Sequence, residues 1–143
     1  MRAVLDPNVL IAALLSRTGA PAQIVSRWLG GEFELVVSEK VLAELERALE
    51  YPKVRRRIAQ EEAEAFVALL RRGGRLGADP AKPARRSADL GDDYLLALAE
   101  AELAVLVSGD RHVLALADEL PVHTPRGFLD ALAERRRWEG GTG

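Results

Sequence analysis

Aspartate is the residue type whose placement says most about chemistry in this sequence. Of the eight aspartates, five lie near predicted strand ends or helix starts, namely Asp6, Asp89, Asp92, Asp93 and Asp110. Carboxylates are favoured at helix N-termini, where they bind free backbone N–H groups, and capping accounts well for Asp92, Asp93 and Asp110. It accounts less well for Asp6, a lone acid between an apolar run and an apolar helix. Taken as a set, the aspartates favour a functional site over a series of caps.

A glutamate on a later predicted helix is a further candidate. In Glu39–Leu49 the apolar residues form one helical stripe, which is bordered by Glu44 on one side and Glu46 on the other. Helical side chains lean toward the N-terminus of their helix, so a glutamate two turns in can reach back toward the end of the preceding strand. Periodicity alone does not choose between the two glutamates.

Metal binding is the chemistry that such carboxylates support. If Asp6, Glu44, Asp93 and Asp110 converge, their negative charges require compensation. The chain has no cysteine, and a pocket of oxygen ligands suits Mg²⁺ or Mn²⁺. In phosphodiester hydrolysis such ions activate an attacking water and stabilise the leaving oxygen. The two histidines are scattered in the sequence, which argues against a nucleophile activated by histidine.

Alternating strands and helices must position these residues. The sequence predicts strands at 2–5, 33–37, 75–78, 104–108 and 121–123, helices at 7–15, 20–29, 39–49, 60–72, 92–103, 110–118 and 125–138, and a loop at 79–91. This alternation predicts an α/β fold, a three-layer α/β/α sandwich with a central, mostly parallel sheet and Rossmann-like topology. Ligands of such sheets bind outside the carboxyl ends of the strands, so Asp6 is expected on the floor of a site.

The length and composition predict a single domain. The chain has 143 residues, 48% of them hydrophobic, and a formal net charge of −2, so it can bury one core and has no overall basic signature. We expect one domain over residues 1–138 and a disordered tail over residues 139–143. No apolar run reaches the roughly 18 residues that span a bilayer, so we expect no membrane association. The absence of cysteine is consistent with a cytoplasmic protein.

Several segments, in this order, resemble motifs of the PIN-domain nuclease family. They are VLDPNVLIAALL, VVSEKVLAELERALEYPKV and DLGDDYLLALAEAELAVLVSGDRHVLAL. The closing segment PVHTPRGFL resembles the branch of VapC-like toxins from type II toxin–antitoxin systems. The resemblance covers about nine tenths of the chain. It implies a PIN-like fold and a metal-dependent ribonuclease activity.

The resemblance also implies an acidic quartet that binds Mg²⁺ or Mn²⁺. Its members are Asp6, Glu44, Asp93 and Asp110. The family preference in the second motif selects Glu44 over Glu46. Asp93 is preferred over Asp92 because Ala97 then follows four residues later, as in the family pattern, and Asp92 remains the alternate third acid.

Other residues match supporting positions of the family. Asn8 and Ser108 match positions that orient the acids by hydrogen bonds, and Ser38 matches a strand-end hydroxyl near the pocket. Pro7 stands where many members have threonine or serine, so one hydroxyl is absent. Arg111 is the basic residue nearest in sequence to the pocket. It is a candidate for contacting the substrate phosphate, with an exposed position at a helix start as the alternative.

The implied partners are an RNA substrate, a cognate antitoxin protein and a second copy of the chain in a homodimer. Two further functions stay open, a catalytically weak RNA-binding module of the same fold and a housekeeping RNA-processing nuclease. Phosphotransfer proteins of similar architecture are disfavoured. Asn8 stands where haloacid-dehalogenase-like enzymes have a second aspartate, and the last lysine, Lys82, is too early for a response-regulator receiver.

Overall fold

The computed structural model describes residues 1–81 and 93–140, and its centre is a sheet of five strands. The strands are β1 (Arg2–Leu5), β2 (Glu34–Val37), β3 (Arg75–Leu76), β4 (Val105–Val107) and β5 (Val122–His123). Their order in the sheet is β3-β2-β1-β4-β5, and every neighbouring pair is parallel. Strand β1 is central, since Ala3 pairs with Leu35 on one side and with Val105 on the other. The predicted parallel sheet is confirmed.

Eight helices lie within the described residues. They are α1 (Pro7–Leu15), α2 (Ala20–Leu29), α3 (Glu39–Leu49), α4 (Pro52–Arg55), α5 (Gln60–Gly73), α6 (Asp93–Ala101), α7 (Arg111–Leu114) and α8 (Pro125–Gly140). The bounds of α1, α2 and α3 are those predicted. Helix α4 was not predicted, because Pro52 begins a new helical turn as well as ending α3.

The end of the chain differs from the prediction in two places. Helix α7 ends at Leu114, earlier than predicted. Helix α8 continues to Gly140, so Glu139 and Gly140 are helical although both were expected in the tail. Residues 141–143, most of the predicted 79–91 loop and Asp92 lie outside the described residues.

The core lies on both faces of the sheet. Ala3, Val4 and Leu5 follow one another in β1, and none is more than 1% exposed. Successive side chains of a strand point to opposite faces, so a continuous apolar run shows that both faces are covered, as in parallel sheets generally. Helix α6 packs against β1 and β4, and α1 packs against α2 and α3. The result is the predicted three-layer arrangement.

The strand order creates a switch point between β1 and β4. The chain passes outward from β1 to β2 and β3 and then crosses back to β4, on the other side of β1. Right-handed crossovers in these two directions place the connecting helices on opposite faces of the sheet. The segments that leave β1 and β4 therefore diverge and form a crevice at the carboxyl ends of both strands. Asp6 and Ser108 are the first residues beyond those ends.

In the described part of the chain, no single helix is both long and apolar enough to cross a bilayer, and α1 with α2 reaches that length only as a pair bent by 98°.

Candidate active site

Asp6 is fixed by the strand before it and by the helix after it. Its amide donates to the Val107 carbonyl at 3.0 Å, and its carbonyl accepts the Val9 amide at 2.8 Å. Its carboxylate caps α1, because Oδ1 accepts the Asn8 amide at 2.9 Å. The residue is only 4% exposed. A backbone held at both ends gives this buried carboxylate one fixed position beside β4.

A serine hydroxyl links the acids that follow β1 and β4. Ser108 is fully buried, and its Oγ donates to Asp6 Oδ2 at 2.9 Å. The same oxygen accepts the Asp110 amide at 3.0 Å. The carboxylate of Asp110 caps α7, since its Oδ1 accepts the His112 amide at 2.7 Å. One hydroxyl thus positions both the Asp6 carboxylate and the backbone of Asp110.

The electrostatics of this pair favour a bound cation. Burial raises the pKa of Asp6 above its usual value, and the negative charge of Asp110 raises it further. The hydrogen bonds from the Asn8 amide and the Ser108 hydroxyl lower the pKa but do not overcome burial. The negative charge of Asp6 is therefore incompletely compensated. A hard divalent cation, which prefers carboxylate oxygens, would supply the missing compensation.

A cavity of about 170 Å³ opens beside Asp6. It is lined by Asp6, Pro7, Asn8, Glu44, Arg47, Ala48, Tyr51, Tyr94 and Leu95. Three elements meet there, namely the start of α1, the second half of α3 with the residues after it, and the first turn of α6. The structure places Glu44 at this cavity, whereas Glu46 lines a separate groove beside α5.

The four candidate acids border one edge of the sheet without forming a ready ligand set. Asp93 is the first residue of α6 and is 4% exposed, and its neighbour Tyr94 lines the cavity. Within residues 1–81 and 93–140, no three His, Asp or Glu side chains lie close enough together to hold a metal ion. The structure does connect Asp6 with Asp110 through Ser108, and Asp6 with Glu44 through the cavity. Binding of one ion by the whole quartet stays a prediction.

The remaining predicted residues lie in different settings. Ser38 is fully buried, and its Oγ caps α3 by accepting the Val41 amide at 3.2 Å. Arg111 is the exposed first residue of α7 and is not among the residues that line the cavity. Asp92 is outside the described residues.

Sequence reasoning missed two polar residues of the cavity wall, Arg47 and Tyr51. They follow Glu44 by three and seven residues. This is the spacing of one helical face, so the signal was available once Glu44 had been chosen. A larger groove, of about 1020 Å³, lies at the opposite edge of the sheet beside Met1 and Arg2. That edge is away from the carboxyl ends of the strands, where ligands of such sheets bind.

Comparisons with known proteins agree with this architecture. The sequence profile of the PIN domain matches residues 2–112, a span that includes all four candidate acids. VapBC2 from Rickettsia felis, in a crystal structure bound to a DNA fragment from their promoter, has a TM-score of 0.61 at 16% identity, covering 87% of this chain and 98% of that chain. PAE2754 from Pyrobaculum aerophilum has a TM-score of 0.64 at 18% identity, covering 94% of this chain and 90% of that chain.

A third similar structure is a domain of a functionally unknown protein from Methanocaldococcus jannaschii DSM 2661. It has a TM-score of 0.54 at 16% identity, covering 86% of this chain and 89% of that chain. At these identities the three structures show a shared fold. No curated protein matches the sequence.

Proposed function

The chain belongs to the PIN-domain family, whose members are nucleases, and we propose that it is a divalent-metal-dependent endoribonuclease. The observation that carries the proposal is the buried Asp6 carboxylate, which Ser108 holds beside Asp110 and which shares a cavity with Glu44. Burial and, to a smaller extent, the charge of Asp110 raise its pKa, and perturbed carboxylates of this kind are frequent at functional sites.

Each acid has a proposed role. Asp6, Asp93 and Asp110 would hold Mg²⁺ or Mn²⁺, which supplies positive charge at the attacking water and at the leaving oxygen of the phosphodiester. Glu44 would orient the attacking water, since it lines the same cavity as Asp6. Ser108 positions Asp6 through the 2.9 Å hydrogen bond to its carboxylate.

Cleavage of RNA by the purified protein tests this proposal. Wild type is expected to cleave RNA with Mn²⁺ and not with EDTA. Asp6→Asn and Asp93→Asn are expected to lower the rate by more than the roughly 10- to 100-fold that loss of an outer-shell partner costs. Asp130→Asn, a matched change at an exposed position on α8, should cleave like wild type. Equal cleavage by all four proteins would indicate a contaminating nuclease and refute the proposal.

We further propose that the chain is the toxin of a toxin–antitoxin pair, with a cognate antitoxin protein as partner and a homodimer as its own assembly. The shared fold with VapBC2 and the toxin-like closing segment PVHTPRGFL support this role. Induced expression should arrest growth with wild type but not with Asp6→Asn. Arrest by both variants would contradict a toxic nuclease, and light scattering of the purified protein tests the dimer.

An RNA-binding protein of the same fold without cleavage activity is the second candidate function. It is favoured by the finding that no three metal-binding side chains cluster in the described part of the chain. RNA binding without cleavage in Mg²⁺ or Mn²⁺ would establish it in place of the nuclease.

A further inference from the structure

We propose that Arg47 and Tyr51 form the substrate-holding rim of the cavity, where Arg47 binds a backbone phosphate and Tyr51 stacks on a nucleobase of single-stranded RNA. The inference rests on the proposed function, because it concerns the substrate of the same site. It adds two binding residues that the acidic motifs do not contain.

The size of the cavity leaves the bases outside it. Pockets that enclose a whole small molecule typically have volumes of about 300–1,000 Å³, whereas this cavity has about 170 Å³. It has room for a phosphate and an ion beside the carboxylates, but not for the flanking nucleosides. The bases next to the scissile phosphate are therefore left outside the cavity, where side chains at its mouth are available to bind them.

Tyr51 is the exposed aromatic side chain at that mouth. The residue is 56% exposed although it lines the cavity together with Asp6 and Glu44. None of the other large apolar side chains exposed in the described residues lines this cavity; they are Met1, Leu29, Leu76, Leu103 and Trp138. Single-stranded RNA is commonly bound by stacking its bases on exposed aromatic rings, whatever the base.

The backbone of Tyr51 is held in place, so the point from which its ring extends is fixed. Its amide donates to the Ala48 carbonyl at 3.2 Å, and its carbonyl accepts the amides of Val54 at 3.0 Å and Arg55 at 2.9 Å. Pro52 follows and restricts Tyr51 to the extended backbone that is observed, with φ −60° and ψ 138°. Because this backbone is already ordered, little backbone entropy is lost when a base stacks on the ring.

Arg47 supplies positive charge to the cavity. Among the residues that the structure describes, it is the one basic residue of the cavity lining, where Asp6 and Glu44 would repel an RNA phosphate. Other arginines of the described residues are already paired, as Arg71 is with Glu39 at 2.7 Å and Arg75 with Glu102 at 3.0 Å. No such ion pair involves Arg47 within residues 1–81 and 93–140. Its planar guanidinium can bind two phosphate oxygens at once.

Binding of a fluorescein-labelled single-stranded oligoribonucleotide in EDTA, measured by anisotropy, tests the rim separately from cleavage. Tyr51→Ala is expected to weaken binding by about 5- to 150-fold, the usual cost of losing one stacked base. Tyr51→Phe keeps the ring and should bind like wild type. Trp138→Ala, a matched loss of an aromatic ring that is 76% exposed on α8, should also bind like wild type.

Two further measurements separate recognition from a structural effect. An oligonucleotide of abasic residues should bind wild type and Tyr51→Ala equally, because it offers no base to stack. Arg47→Ala should reduce the slope of log Kd against log salt by about 0.7, the value for one lost phosphate contact on a single strand. Arg72→Ala, an exposed residue in the last turn of α5, should leave the slope unchanged.

The inference fails if Tyr51→Ala binds the RNA like wild type, if Trp138→Ala loses as much affinity, or if wild type does not bind the oligonucleotide. It also fails if the abasic strand shows the same difference between wild type and Tyr51→Ala. Failure of the proposed nuclease function is a different result, in which wild type binds the RNA in EDTA but leaves it intact in Mn²⁺.

Discussion

Ser108→Ala tests the hydrogen bonds on which the candidate site depends. The substitution deletes the hydroxyl that donates to Asp6 Oδ2 at 2.9 Å and accepts the Asp110 amide at 3.0 Å. A hydrogen bond to a charged group contributes about 1.5–3 kcal/mol, and a buried donor left without an acceptor costs about 1–3 kcal/mol. Because Asp110 is only partly buried, we expect a total loss of about 2–4 kcal/mol in the free energy of unfolding.

Ser38→Ala is the matched control. Ser38 is also fully buried and also follows a strand, but its hydroxyl accepts a backbone amide, that of Val41, at 3.2 Å. Loss of such a neutral helix cap costs about 1 kcal/mol. The excess cost of Ser108→Ala over Ser38→Ala therefore measures the interaction with the Asp6 carboxylate.

Urea unfolding at neutral pH in EDTA measures both costs, and a double-mutant cycle with Asp6→Asn isolates the pair. With a neutral amide at position 6, the cost of Ser108→Ala should fall by about 1 kcal/mol, the difference between charged and neutral hydrogen bonds. The described geometry is refuted if Ser108→Ala costs no more than Ser38→Ala and the two substitutions at positions 6 and 108 are additive.

Further predictions concern the carboxylates. Burial raises the pKa of Asp6, so the folded protein binds that proton more tightly than the unfolded chain, and wild-type stability falls as pH rises from the unfolded-state pKa through the folded-state pKa. Asp6→Asn removes this pH-dependent loss of stability and is expected to raise the Tm of the metal-free protein at neutral pH. Thermal melts across acidic and neutral pH measure the effect. Identical melting curves for the two proteins would contradict the prediction. Mn²⁺ at about 100 times its Kd should stabilise wild type by about 2.7 kcal/mol and Asp6→Asn far less, whereas equal shifts in Tm would show that the ion binds elsewhere. Glu44→Gln should lower kcat/KM for RNA cleavage more than Glu46→Gln, because only Glu44 lines the cavity with Asp6; equal losses would remove Glu44 from the site.

The elements that sequence predicted best are those with a clear local signal at one end. Helix α1 begins with Pro7 in its first turn, α2 is followed by two glycines, and Ser38 caps α3. Helix α7 is the contrary case, since its apolar pattern continues past Leu114 but its helix does not. Backbone bonds there join residues three apart, such as Leu116 to Val113 and Ala117 to Leu114. These tighter turns lead the chain into β5 within a short distance. The need to reach β5 comes from the tertiary structure, so the apolar periodicity of the sequence does not predict where the helix ends.

The candidate site likewise has features that the sequence predicts and features that depend on tertiary packing. The position of Asp6 at the end of a buried strand could be predicted, because it is a local property of the sequence. The different surroundings of Glu44 and Glu46 could not, because both border the apolar stripe of α3. Packing separates them, since Glu44 lines the cavity beside Asp6 and Glu46 lines the groove beside α5. The position of Tyr51 at the cavity was also hard to predict. Tyr51 lies beyond the last residue of α3, immediately before the turn that begins at Pro52.

Asp6 also shows how a capping acid could be distinguished from the metal ligand that we propose. An aspartate that serves only as an N-cap gains stability from its charge, because the helix dipole and the free amides lower its pKa, and asparagine replaces it at little cost. Here the Asn8 amide caps the carboxylate in that way, yet burial and the charge of Asp110 prevail and the pKa is raised. A raised pKa predicts that the ionised side chain destabilises the folded protein at neutral pH. A cap alone could be provided by aspartate or asparagine at position 6, whereas the proposed binding of a cation requires the charged aspartate.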